Sequence, residues 1–233
     1  SGDALTTGGN NVAIGYGTLD AQTTVSGNTA VGHEALSGNT TADANVAVGY
    51  RAGKAITTGS NNTGGGYRAL EDTTTGIGNT AVGLDALSNN TTGGSNTALG
   101  ASAFRDLTGG ASNVSIGASA GLGTTTGNYN VFMGYEAGEA ITTGSNNVAV
   151  GFRALETATT SSSSVAIGMY ALNNSVDGGN TAVGYSALGA NTTGESNTAV
   201  GRNALEDCTT ADNNTAVGPV SYTHLTLPTI YSV

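Results

Sequence analysis

The sequence predicts an all-β chain wound as a parallel β-solenoid, with 17 residues per coil and about thirteen coils. Three observations carry that reading. A glycine recurs at a fixed interval, a set of residue columns travels with it, and proline is absent from residues 1–218.

The glycines are Gly15, Gly32, Gly49, Gly66, Gly83, Gly100, Gly117, Gly134, Gly151, Gly168, Gly184, Gly201 and Gly218. Every interval is 17 residues except the 16 from Gly168 to Gly184. A short fixed period is the signature of units that stack on their neighbours. Four residues before the glycine stands Asn in twelve of thirteen copies, with Ser164 the exception. Three before it is always Val or Thr, and one before it is usually Val or Ile. Three after it is Ala in eleven of twelve copies, four after it is mostly Leu, and eight after it is Thr in eleven of twelve. A longer echo overlies the short one. YRAGKAITTGSNN at Tyr50 returns as YEAGEAITTGSNN at Tyr135, an offset of 85 residues, or five coils, which points to growth by block duplication.

The elements follow from the columns. N-[TV]-A-[VI]-G alternates branched and small residues, the period of a strand. The glycine after it supplies the φ freedom that a bend requires. The Ala-Leu step and the following Thr pair are expected to form a second short strand, with Asn, Asp, Gly and Ser at the corners. Seventeen residues are too few for a strand-helix-strand unit, which needs roughly 30. Stacked coils then pair in parallel, about 4.8 Å apart. Interior coils need their backbone donors for the ladder, which explains the missing proline. Stacked Asn side chains are expected to hydrogen-bond from coil to coil. Each coil is expected to bury two or three Val, Ile or Leu side chains, worth roughly 1.5–3 kcal/mol apiece. That is marginal for one thin roll and favours association of several.

Composition narrows the function. The net charge is −10, and the six basic residues (Arg51, Lys54, Arg68, Arg105, Arg153 and Arg202) form no run or patch. The electrostatic footprint of a nucleic-acid binder is therefore missing. No stretch approaches 18 consecutive apolar residues, so this segment is expected to insert no helix into a membrane. A single cysteine, Cys208, excludes an intrachain disulfide framework. The chain starts at Ser1 rather than Met and is read as part of a longer protein. The array is read as one continuous solenoid over residues 1–218. Residues 219–233 form a tail unlike it, and VSYTHLTLPTIYSV resembles translated sequencing-adapter read-through rather than natural sequence.

At this point the repeat can be matched. SNVSIG, SSVAIG, NNVAIG and NNVAVG resemble the head repeats of trimeric autotransporter adhesins, the YadA-like heads. The resemblance spans essentially all of residues 1–218. It implies a left-handed β-roll, a homotrimer, an extracellular position on a bacterial outer membrane, and adhesion to a host matrix protein. The chain departs from those heads in its somewhat longer coil and more regular A-L-x-x-x-T-T half. Its 17-residue form, NTAVGYxALxxNTTG, is similar to arrays in phage tail fibres, which implies a fibre shaft on a virion as the alternative.

No enzyme site, cofactor or metal centre is expected. AGKA at Ala52–Ala55 lacks the spacing and the final Ser/Thr of a phosphate loop. His33 is the only histidine of the array, too few for a metal set or a triad. The position after the glycine is the candidate surface. It carries Tyr16, Tyr50, Tyr67, Tyr135, Phe152 and Tyr185, with Leu84 and Met169. Exposed, such a row could grip a glycan or a protein; covered, it packs between rolls. The Thr column at Thr23, Thr40, Thr57, Thr74 and onward fits a third reading, an ice-binding face.

Overall fold

The computed structural model describes residues 7–21 and 24–219. The tail from Val220 to Val233 lies outside the described residues, as does Thr23. One parallel sheet runs through the molecule, its thirteen strands in sequence order from β1 (Val12–Ile14) to β13 (Thr215–Val217). Register is kept column for column: Val12 pairs with Thr29, Ala13 with Ala30 and Ile14 with Val31. At the short coil the step is 16 residues, so that Val165 pairs with Thr181, and the register survives. The sheet would span on the order of 60 Å along the stack.

The strand is the N-[TV]-A-[VI] step, and it is only three residues long. Period two turns its middle residue inward, and this is Ala in most coils: Ala30, Ala81, Ala98 and Ala149 are fully buried. The glycine that follows sits at φ +124 to +144, outside the range of L side chains. A Cβ there would also strike the carbonyl of the equivalent glycine one coil on. Backbone twist and coil spacing thus demand glycine independently.

The expected second strand is absent among the described residues. The residues two and four after the glycine adopt left-handed backbone instead, as at Glu34 (φ 55) and Leu36 (φ 49). The left-handed turns swing Leu into the lumen, where Leu36, Leu87, Leu155 and Leu188 are wholly buried. Such conformations cost roughly 1–2 kcal/mol each for non-glycine residues. Coil-to-coil hydrogen bonding persists through the bend and offsets that cost: Glu34 N–H donates to Tyr16 O at 2.8 Å and Leu36 N–H to Ala52 O at 3.1 Å.

The core also differs from expectation. Most coils bury one large side chain, the Leu, against two Ala methyls, while the strand Val and Ile face outward. The lumen is too narrow for more. At Gly64, where the inward strand position lacks a side chain, a Cβ would come 3.3 Å from Leu70 Cδ1. One exception is compensated across coils. Phe132 fills an inward strand position, and the Leu column is glycine at both neighbouring sites, Gly121 and Gly138. A Cβ at either glycine would come 2.7 Å from the Phe132 ring. Phe104 packs beside it, with ring centroids 5.8 Å apart.

A buried asparagine ladder ties the coils together. Oδ1 of each Asn accepts the backbone N–H of the next, as from Asn113 to Asn130 at 2.9 Å and Asn130 to Asn147 at 3.0 Å. Nδ2 donates forward to a corner carbonyl of the next coil, as from Asn113 to Gly127 O at 2.9 Å. The chain of bonds runs from Asn11 to Asn214. Its weak link is Ser164, whose hydroxyl receives Asn180 N–H at 3.4 Å and which precedes the 16-residue coil. A second ladder uses threonine: Thr57 Oγ1 donates to Thr74 O at 3.1 Å and Thr74 Oγ1 to Thr91 O at 2.9 Å.

Two expectations follow for stability, each read by urea unfolding monitored by circular dichroism. Asn113→Ala orphans the Asn130 N–H and the Gly127 carbonyl and should cost on the order of 2–4 kcal/mol; an unchanged midpoint would remove the ladder from the account. Phe132→Ala should cost about 3–5 kcal/mol. Gly138→Leu should destabilise alone, yet combined with Phe132→Ala it should recover most of the loss, because Phe132 is what fills the space at Gly138.

Candidate functional site

The outward face of the sheet is built by the same alternation that fills the core. With Ala turned in, the residues on either side of it turn out. Val12, Ile14, Val46, Val48, Val82, Ile116, Met133, Ile167, Val200 and Val217 are all exposed. The bend at the glycine then carries the next side chain onto the edge of that face. Tyr16, Tyr50, Tyr67, Tyr135, Phe152 and Tyr185 are exposed there, from 39% at Tyr50 and Phe152 to 77% at Tyr16. Leu84 and Met169 join them. Apolar stripe and rings form one surface.

The rings divide into groups. Tyr16, His33, Tyr50 and Tyr67 stack in succession with centroids 5.2, 5.3 and 5.0 Å apart and planes within 27°. Tyr135 and Phe152 form a second stack at 5.5 Å. Leu84, Ala101 and Ala118 occupy the column between them. Tyr170 meets Phe152 edge-on at 5.5 Å and Tyr185 edge-on at 6.3 Å, and so links Tyr185 to the second stack. The sequence reading set His33 aside as a lone histidine. Its column position was the signal that it is a ring of the stack.

Basic residues lie over the rings. The guanidinium of Arg51 is 5.5 Å from the Tyr50 centroid, Arg153 is 5.3 Å from Phe152, and Arg202 is 5.6 Å from Tyr185. Beside the first stack, Glu34 accepts from Arg51 and Lys54, both at 2.9 Å, and Glu71 pairs with Arg68 and with Arg51. Lys54 and Arg51 hold the Glu34 carboxyl below the usual carboxylate range. Lys54 of the AGKA segment is thus engaged in a surface ion pair. Such exposed pairs contribute little individually.

Five coils on, the charges change. Glu136 and Glu139 stand where Arg51 and Lys54 stood, and with Glu156 they place carboxylate oxygens within 4.8 Å of one another. Arg153 pairs with Glu136 at 2.6 Å and with Glu156 at 3.4 Å, leaving Glu139 outside the pairing. Burial pushes the Glu139 carboxyl above its usual range; Glu136 and Glu156 add to the push and Arg153 opposes it. The glycosylation-like sequons at Asn39 and Asn191 are wholly buried and bonded within the core.

Comparison with protein-family models, with curated proteins and with solved structures returned no match. No helix among the described residues is long and apolar enough to cross a membrane.

Glu139 gives a pH prediction. A carboxyl whose pKa is raised on folding destabilises the folded state once ionised. That penalty is absent below the unfolded-state pKa and complete above the folded one. Glu139→Gln should therefore raise Tm at neutral pH, and the gain should vanish as pH falls below the carboxylate range. A gain that persists in acid would assign the effect to packing.

Proposed function

We propose that this chain is a rigid segment of a surface-exposed fibrous protein, acting as both spacer and adhesive surface, and that it works as a homotrimer joined along its outward sheet face. The observation that carries the reading is the outward sheet face, where Val, Ile, Leu or Met side chains stand on every strand but β4 (Thr63–Gly65), interspersed with threonine and edged by rings. From the strand spacing it measures roughly 13 Å by 60 Å, on the order of 800 Å². That area, threonines included, equals one side of a standard protein interface. Covering it adds the apolar burial that a lumen of Ala and single Leu residues lacks. The resemblance to YadA-like heads supports three chains, a left-handed roll and a place on a bacterial cell surface. A host matrix protein or a glycan is the fitting adhesive partner, met by ring positions near the interface edge.

A phage tail-fibre shaft is the second reading, and the uniform 17-residue coil favours it. An ice-binding face fits less well. The stacked Thr hydroxyls donate to carbonyls of the next coil, which commits their hydrogens to the scaffold.

Sedimentation of the full chain should give a species of three chains. Val82→Lys, Ile116→Lys and Ile167→Lys combined should release monomers that keep the strand circular-dichroism signal. A wild-type chain that stays a folded monomer at every concentration would defeat the trimer.

A further inference from the structure

Outside the strand face, the coil that begins at Gly184 is thinner than its neighbours along one wall. Two, five and six residues after the glycine it carries Ser186, Gly189 and Ala190. The coil before has Tyr170, Asn173 and Asn174 at those places, and the coil after has Asn203, Glu206 and Asp207. Small residues between two rows of larger ones leave a notch of about 270 Å³. Ser186, Gly189 and Ala190 floor it; Tyr170 and the two asparagines form one wall, and Glu206 and Asp207 the other.

The notch is lined by two carboxylates and by no basic residue. Asn173 Nδ2 already donates to Arg153 O at 3.1 Å and to Glu156 Oε2 at 2.7 Å, and Asn174 Nδ2 donates to Gly189 O at 2.9 Å. Asn173 is left with an acceptor oxygen only, and Asn174 with its oxygen and one N–H. Among the described residues the carboxylates of Glu206 and Asp207 have no ion pair, the nearby Arg202 being placed over Tyr185 instead. Two unpaired carboxylates and two amide oxygens thus border a space beside the Tyr170 ring. That combination selects a donor-rich cation, which can meet several acceptors at once and take up cation–π attraction. The volume lies just below that of ordinary ligand sites and is far larger than a bare ion needs.

We propose that this notch is a binding site for a primary ammonium carried on a compact organic body, such as an amino sugar or the end of a lysine side chain. It is independent of the trimer reading, since the notch is complete within one chain.

The test is ligand-observed saturation-transfer NMR on the full chain, titrating glucosamine, N-acetylglucosamine and Nα-acetyl-lysine amide. Saturable binding of glucosamine, of the lysine amide or of both is expected, and which of them binds identifies the source. N-acetylglucosamine, which keeps the ring and lacks the ammonium, should bind at least about tenfold more weakly. Glu206→Gln with Asp207→Asn should weaken the ammonium ligands by a similar factor while keeping the shape of the wall. Ala190→Leu, which fills the notch, should do the same with both charges in place. Absence of saturable binding, equal binding of the N-acetyl sugar, or undiminished binding to both variants would overturn the proposal.

Discussion

Except where Ser164 intervenes, each described coil is hung on the previous one by an asparagine of the ladder, and the rest of the structure depends on that repeated bond. The side chain does two jobs at once. It caps the N–H at the start of the next strand through Oδ1 and anchors the next coil's corner through Nδ2. Both bonds require the successive asparagines to lie directly over one another. The coil must therefore bring the backbone back to the same place on each lap, which favours a constant period; the single 16-residue lap falls where the ladder is weakest, after Ser164. The strand-end glycine enforces the same closure sterically, since its neighbour's carbonyl lies where a side chain would be. Polar groups buried this deeply are expensive unless paired, so a slipped coil would lose several bonds together.

With closure secured by polar contacts, the lumen does not need a large apolar core. It holds alanine methyls and, in most coils, one leucine, and where a phenylalanine intrudes at Phe132 its neighbours shrink to Gly121 and Gly138. The branched apolar residues, displaced from this interior, form the outer face. Stability and surface chemistry are thus set by one alternation: the residue that would strengthen a lone coil is the one made available for association.

Much of this was legible in the sequence because periodicity reports geometry directly. The glycine interval placed all thirteen strands, and the Asn column announced its own ladder. Two things were hidden. The left-handed backbone at residues such as Glu34 and Leu36 has no compositional sign, since neither residue type favours it, and so the Ala-Leu step resembled a strand. The direction of the strand side chains was ambiguous too, because an alternation fixes which residues share a side without saying which side is inside. Alanine inward and valine outward becomes evident only once the leucine of the bend is seen to fill the lumen. Of the candidate surface, the six rings were legible, but their division into two groups depends on His33, on the gap at Leu84, Ala101 and Ala118, and on Tyr170, which lies outside the column yet links Phe152 to Tyr185. The notch at Gly189 was invisible, because it arises from what three neighbouring coils lack relative to one another.

Each strand bonds only to the strands before and after it, so nothing in the fold refers to the total number of coils. The 85-residue echo has a structural meaning in that light. A copied block of five coils joins its parent with the same asparagine and glycine contacts that operate inside it, and no surrounding packing has to be rearranged. Such a gene can lengthen or shorten its product in increments of about 24 Å, which makes reach a heritable quantity adjustable by recombination alone. The molecule is in effect a ruler whose markings are also its glue.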